Sequence, residues 1–340
     1  MGPAAEPRHL VVVGGGPAGL MCAITAARGL PFDALEGFRV LVLERGRIGQ
    51  FARHGKLRLT AAWHWKGGPL VASLEAEARG AGVELREHTP VRSLDLSDEV
   101  PVVRTDTESI PAATVALSMG FFPHADLLEH GRLVHPVFSP AELEARLLPV
   151  GDGEPTLLLG RGRSTVALAL ALRDLRPDAP LHVVLEDPAP DTADLDAADV
   201  PVHRGGLRVL GVAKEMAVLE LTDVAGRRVE RALARKVLVD YNAYTTEAPT
   251  TGFLDGTPIQ RRDGYVVVDE AGRTSVPGVY AAGNLVTPVS GVLTALASGF
   301  VAGLAIHRDL VARRDGRAPN QFPWLPRQGH DAHPLATKAR

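Results

Sequence analysis

The chain has 340 residues, of which 45% are apolar and 23% charged, so it can bury a core and is not disordered wholesale. At roughly 150 residues per domain, this length fits two domains. A formal charge of -3 gives no global case for nucleic acid or an anionic membrane. The only cysteine, Cys22, excludes an internal disulfide, a CxxC pair and a four-thiolate metal site.

Pro3, Glu6, Pro7 and Arg8 precede the first apolar run, an opening unlike a signal peptide. No stretch approaches the roughly 18 uninterrupted apolar residues of a membrane span. The expected setting is therefore cytoplasmic, with no membrane partner. His9 to Val13 reads as a short strand, Leu20 to Ala27 as a buried helix and Arg39 to Leu43 as a second strand, together a βαβ unit. Residues 31–38 lengthen its connection. Residues 45–66 carry Arg45, Arg47, Arg53, Lys56, Arg58 and Lys66 with no acid. Leu70 to Arg79 predicts a helix, followed by strands at Val83 to Arg86, Val91 to Leu96, Val100 to Thr105 and Thr114 to Leu117.

A loop-rich stretch, 120–140, leads to a second unit. Its strand is Thr156 to Leu159, its helix Val166 to Leu175 and its next strand Leu181 to Leu185. Glu186 then opens an acidic run to Asp199 without Lys or Arg, and the segment 187–205 lacks a normal helical pattern. Further strands are expected at 207–212, 216–221 and 236–240. The last packed region has strands at Tyr265 to Val268 and Val276 to Ala282, then a long helix from Val292 to Leu310. The tail from Val311 carries Pro319, Pro323, Pro326 and Pro334 and shows no periodicity.

Gly14-x-Gly16-x-x-Gly19 lies between the first strand and its helix. In that position Gly14 permits the tight turn, Gly16 lets the backbone approach a pyrophosphate, and Gly19 lets helix and strand pack closely. The helix N-terminus, at Pro17 and Ala18, adds unpaired N–H groups and partial positive charge. Glu44 ends the next strand, where it can accept from ribose hydroxyls. The alternative is a glycine-rich turn without a ligand.

These residues resemble the thioredoxin-reductase-like branch of the two-dinucleotide-binding-domain flavoproteins. The resemblance rests on VVVGGGPAGL at the start, and on GYVVVDEAGRTSVPGVYAAGN with VTPVSGVLTALASGFVAGLAI near the end. It implies an α/β fold with two Rossmann-like three-layer domains, the FAD domain being discontinuous. The expected division is residues 1–122 and 246–310 for the FAD domain, 123–245 for an NAD(P)-binding-like domain and 311–340 for a tail. The resemblance implies FAD contacts at Gly14, Gly16, Pro17, Ala18, Gly19, Glu44, Arg45, Gly49, Gln50, Gly283 and Asn284. Asn284 stands where the family has Asp beside the flavin's ribityl chain, and the amide can still donate and accept. Ser118-Met119-Gly120 replaces the family's Ala-Thr-Gly segment.

Gly160-x-Gly162-x-x-Thr165 occupies the place of the pyridine-nucleotide fingerprint. Arg161 and Arg163 either contact a pyrophosphate or face solvent. Glu186, with the acids that follow, would repel a 2′-phosphate and matches ribose recognition, so a bound coenzyme would be NADH rather than NADPH. The other reading is a domain that keeps only its fold.

The family's dithiol relay is missing: Leu133 to Ser139 contains no cysteine, and Cys22 lies on the first helix, whose face should be buried. Disulfide reduction through an internal dithiol is therefore rejected. An FAD-dependent oxidoreductase remains, driven by NADH or oxidising a small molecule directly. The alternatives are a ferredoxin- or flavodoxin-type NAD(P)H reductase and a non-catalytic binding or assembly protein. The partner would be a small-molecule substrate or a small acidic redox protein meeting the basic stretch 45–66, and the family suggests a homodimer. His54 and His64, beside Trp63 and Trp65, and His135, beside His124 and His130, are candidates for proton transfer, with surface or structural roles as the alternative. No metal-ligand spacing occurs.

Overall fold

The computed structural model describes residues 8–29, 38–54, 56–58, 64–120, 127, 133–137, 143, 153–186, 191–245, 252–289 and 291–314. The chain divides into two units, Met1–Pro123 with Ala248–Arg340, and His124–Glu247.

The first unit begins with β1 (Leu10–Val13), α1 (Pro17–Arg28) and β2 (Val40–Leu43). It continues with α2 (Gln50–His54), the hairpin of β3 (Lys56–Arg58) and β4 (His64–Lys66), α3 (Gly67–Gly80) and β5 (Glu84–Arg86). An antiparallel meander follows, β6 (Val91–Asp95), β7 (Val102–Thr105) and β8 (Ser109–Pro111), and then β9 (Val115–Leu117). The second unit contains β10 (Val134–Val137), β11 (Thr156–Gly160), α4 (Gly162–Leu175), β12 (Leu181–Leu185), α5 (Ala193–Ala197) and β13 (Val202–Arg204). Its meander is β14 (Gly206–Ala213), β15 (Met216–Thr222) and β16 (Arg228–Ala234), and β17 (Lys236–Asp240) leads to α6 (Asn242–Thr245). The chain re-enters the first unit with the hairpin of β18 (Arg261–Arg262) and β19 (Tyr265–Val266), then β20 (Val279–Ala281) and α7 (Val292–Arg314).

The first unit is built on a parallel sheet in the order β20-β9-β1-β2-β5. Leu10 pairs with Val40, and Val11 with Val115. Such strands are covered on both faces, which is why β1 and β2 read as continuous apolar runs. Alternate residues sort onto the two faces. Leu10, Val12, Val40 and Val42 pack with residues of α1, α3 and α7. Val11, Val13, Leu41 and Leu43 pack with Leu94, Val103 and Ile110 of the meander and with Leu254, Ile259 and Val266. Each such side chain contributes about 1.5–3 kcal/mol by burial. The result is three layers, with helices on one side of the sheet and the meander on the other.

The second unit repeats the plan with a parallel sheet in the order β10-β17-β11-β12-β13. Leu158, Val183, Leu185 and Leu238 face Val166, Leu168, Ala169 and Leu172 of α4. Leu157, Leu159, Val184, Val237 and Val239 are buried as well.

The sequence reading omits the short elements α2, β3, β4, β8, β13, α6 and β18, and β10 within the stretch it reads as loop-rich; three further elements differ for identifiable reasons. β16 has no apolar alternation, because most of its side chains, charged ones included, are exposed on an edge strand. β20 is shorter than its apolar run, because the chain turns at Gly278 with φ +80°. The acidic segment holds α5, a single short helix with Asp194 and Asp196 in its first turn, where acids complement the helix dipole. The expected connection at 31–38 and the tail beyond Arg314 lie largely outside the described residues.

The long helix α7 is apolar and long enough to cross a membrane by length and composition, yet most of that window is buried within the protein. It lies against α1 at a separation set by glycine. A Cβ on Gly299 would come within 2.2 Å of the Ala18 carbonyl oxygen, and one on Gly303 within 2.5 Å of the Cys22 carbonyl oxygen. The far end of α7 is fixed by Asp309, which is 3% exposed. It accepts two hydrogen bonds from Arg273, both at 2.9 Å, and one from the Tyr280 hydroxyl. Gly303→Val is expected to cost about 1–3 kcal/mol through overpacking, read as a lower urea midpoint. An unchanged midpoint would show that the two helices are not locked at this distance.

Candidate functional site

The first glycine turn is held by backbone approaches that exclude a Cβ. Gly14 has φ +105°, and a Cβ there would lie 2.6 Å from the Ser118 carbonyl oxygen. On Gly19 it would lie 1.9 Å from the Gly14 carbonyl oxygen. Ser118 Oγ donates to the carbonyls of Val13 at 3.1 Å and Gly14 at 2.9 Å, so the segment Ser118-Met119-Gly120 supports the turn from behind. Gly16 is different. Its backbone is extended (φ -75°, ψ -178°), a region open to any residue, and nothing lies within 4 Å of a Cβ built on it. Neither strain nor internal packing requires glycine there.

Gly16 is also the N-cap of α1, with Pro17 and Ala18 in the first turn. No side chain caps this helix end, and no acid lies in its first turn. The N-terminus therefore presents backbone donors and partial positive charge beside the open space at Gly16.

Glu44, at the tip of β2, folds back onto the turn. It accepts from the Gly15 amide at 2.7 Å and the Gly46 amide at 3.0 Å. Gly49, with φ +60°, donates to the Gly15 carbonyl at 2.8 Å, and a Cβ on it would strike Val71 at 2.3 Å. Gln50 is buried behind it, whereas Arg45 and Arg47 are exposed. Arg53 is tied to the Ile48 carbonyl and, at 2.6 Å, to Glu75.

The chain's return segment comes to the same place. Gly283, with φ +74°, opens a 3-10 turn from Gly283 to Leu285, and a Cβ on it would lie 2.9 Å from the Ala18 Cβ. Its amide donates to Ser298 Oγ of α7 at 2.9 Å. Asn284, the next residue, is half-buried. The two stretches that carried the resemblance are thus neighbours, with Gly14, Gly16, Ala18, Gly19, Glu44, Gly49 and Gly283 around one turn.

The catalytic candidates are not assembled in this way. His54 ends α2 and His64 opens β4, where it pairs with Arg58, but their side chains lie outside the described residues, as do Trp63, His124 and His130. His135 lies in β10 of the second unit, paired with Leu238, and is half-buried. No group of metal-ligating side chains occurs among the described residues.

In the second unit, Gly160 ends β11 and Gly162 begins α4. Glu186 follows β12, and its amide donates to the Gly160 carbonyl at 2.9 Å. Its carboxylate accepts from the Tyr244 hydroxyl at 2.8 Å and from Arg161 at 3.4 Å, while the Arg161 guanidinium lies 4.7 Å from the Tyr244 ring centroid. Burial and the Glu186 charge push the Tyr244 hydroxyl well above the usual tyrosine range, so it remains a donor. Asp240, 2% exposed, accepts from Ser164 Oγ at 2.8 Å and Thr165 Oγ1 at 2.9 Å. Sequence reasoning missed Asp240 and Tyr244. The available signal was a carboxylate directly after the apolar run Val237 to Val239 of a buried parallel strand, a position where it must find buried donors.

No family model matches the chain. It is 27% identical over 320 residues to an NADH dehydrogenase of Bacillus subtilis (strain 168), covering 88% of this chain and 58% of that protein. The chain thus spans less than two thirds of that relative's length. It is 25% identical over 316 residues to a 34.2 kDa protein in rubredoxin operon of Clostridium pasteurianum, covering 87% of this chain and 94% of the relative. Among solved structures it resembles thioredoxin reductase from T. acidophilum, with a TM-score of 0.52 and 21% identity over 89% of this chain and 98% of the other. The chain has a thioredoxin-reductase-like α/β flavoprotein fold, and with Cys22 alone it lacks the redox cysteine pair.

Cys22 is fully buried in the helix-side core, and burial pushes its thiol up to about 12. The thiolate, the reactive form, is therefore scarce near neutral pH. A thiol-specific disulfide reagent is expected to leave the native protein unlabelled and to modify its single cysteine only after unfolding. Rapid labelling of the native state would contradict the burial.

Proposed function

We propose that the chain is an FAD-dependent oxidoreductase that works without an internal dithiol, with FAD held non-covalently by the first unit. The observation that carries this reading is Gly16. It is a glycine that neither its own backbone nor its neighbours require, set at an uncapped helix N-terminus. Close approach of a phosphate group supplies the missing reason.

The surrounding residues fit the cofactor. The backbone donors after Gly16 would take the pyrophosphate. Glu44 would take the adenosine ribose: each of its oxygens already accepts one amide, which fixes the carboxylate, and each retains capacity for a ribose hydroxyl. Gly283 packs the return segment against Ala18, which would bring the Asn284 amide beside the cofactor's ribityl chain. Arg45 and Gln50 complete the expected contacts. When bound, FAD supplies hydride or one-electron chemistry. The protein's part is to bind and orient it and to keep thiol chemistry out, because Cys22 is sealed in the core.

The reaction partner in this reading is a small molecule or a small acidic redox protein. Exposed Arg45, Arg47 and Lys66 favour the second, since opposite charge speeds encounter. The rubredoxin operon in one relative's name points the same way. The NADH dehydrogenase name of another would make NADH an electron source, in which case NADH would meet the flavin at the first unit directly. A homodimer belongs to the same reading on the resemblance.

Gly16→Val tests the placement. The extended backbone accepts valine and the space is open, so the variant should fold and melt like the wild-type apoprotein. Its FAD affinity should fall roughly tenfold or more, read by flavin absorbance after equilibrium dialysis. A folded variant that takes up FAD like the wild type would overturn the placement.

A further inference from the structure

We infer that the second unit takes no nicotinamide dinucleotide, because its glycine turn is set differently from that of the first unit and the acid and arginine beside it are already engaged with one another and with Tyr244. The inference concerns binding alone and stands whether or not the first unit carries FAD.

The two glycine turns share a spacing but not a geometry. In the first, Gly14 is left-handed at φ +105° and Gly16 is an extended N-cap at φ -75°. In the second, Gly160 is still part of β11, Arg161 is the N-cap and Gly162 is left-handed at φ +65°. Gly162 enters its helix left-handed where Gly16 caps its helix in an extended conformation, so the first amides of the two helices are not set out alike. The glycines are also explained from within. A Cβ on Gly160 would lie 2.2 Å from Thr165 Oγ1 and 3.0 Å from the Asp240 Cβ, and Gly162 is required by its φ. No residue in this turn plays the part of Gly16.

The groups that would meet the ligand are already engaged. An acid at the end of the second strand of such a unit recognises ribose by accepting its hydroxyls. Glu186 instead accepts from Tyr244, which is 2% exposed, and from Arg161. Arg161 is drawn over the Tyr244 ring. Behind the first turn of α4, the Asp240 carboxylate holds Ser164 and Thr165 and accepts from the Ala243 amide at 3.3 Å. It places a fixed negative group beside the helix end that would have to receive a phosphate. A ribose hydroxyl arriving at Oε2 of Glu186 would have to compete with both the Tyr244 hydroxyl and Arg161.

The test is calorimetric titration of the full-length, FAD-treated wild-type protein with NADH and with NADPH. Amide hydrogen exchange is followed on the same samples. No saturable binding up to about 1 mM, the upper end of ordinary coenzyme requirements, is the expected result. Saturable binding with exchange protection confined to the first unit would also uphold the inference. Saturable binding that protects residues 160–165 and Glu186 would overturn the inference. So would binding that a folded Glu186→Ala variant weakens. The wild-type exchange measurement decides the matter if that variant fails to fold.

Discussion

The first unit depends on backbones that pass closer than a Cβ allows. Gly19 lets α1 sit on the Gly14 carbonyl, and Gly299 and Gly303 let α7 sit on the carbonyls of Ala18 and Cys22. The helix is therefore clamped between the strand that precedes it and the helix that ends the unit. Its N-terminus cannot drift, and Gly283 is brought against Ala18 from the other side. The same clamp buries Cys22, which is why the lone thiol is packing material and not chemistry. The position of the glycine turn and the burial of Cys22 follow from one packing arrangement.

The two units show how one sequence spacing can serve two ends. Around Gly16 the structure leaves open space and unsatisfied helix donors, and an acid whose orientation is fixed by amides. Around Gly162 it sets a left-handed backbone, a buried carboxylate that holds Thr165, and a tyrosine that engages the acid. A glycine that its surroundings already explain carries little information about ligands. One that they do not explain carries a good deal.

The fold was largely legible because parallel strands buried on both faces read as apolar runs bounded by glycine, as at Leu10–Val13 and Leu181–Leu185. The first glycine turn and the place of Glu44 at the end of β2 were legible because both depend on local spacing. β16 was not, since an exposed edge strand has no pattern to detect. The Tyr244–Glu186 contact was not, since 58 residues separate the partners and neither residue's neighbours hint at the other. Ser118 was visible only as a departure from the family pattern, and its hydroxyl turned out to brace the turn. The candidate histidines were chosen for chemistry without a geometric constraint, and among them only the His135 side chain falls within the described residues.

The central claim is that the chain has one working nucleotide site, in the first unit. Flavin stoichiometry of the purified protein after saturation with FAD and removal of excess tests it most directly, with protein quantified independently. One FAD per chain is the predicted result. A colourless protein, which takes up no FAD, would contradict the account and return the open space at Gly16 to an unexplained feature.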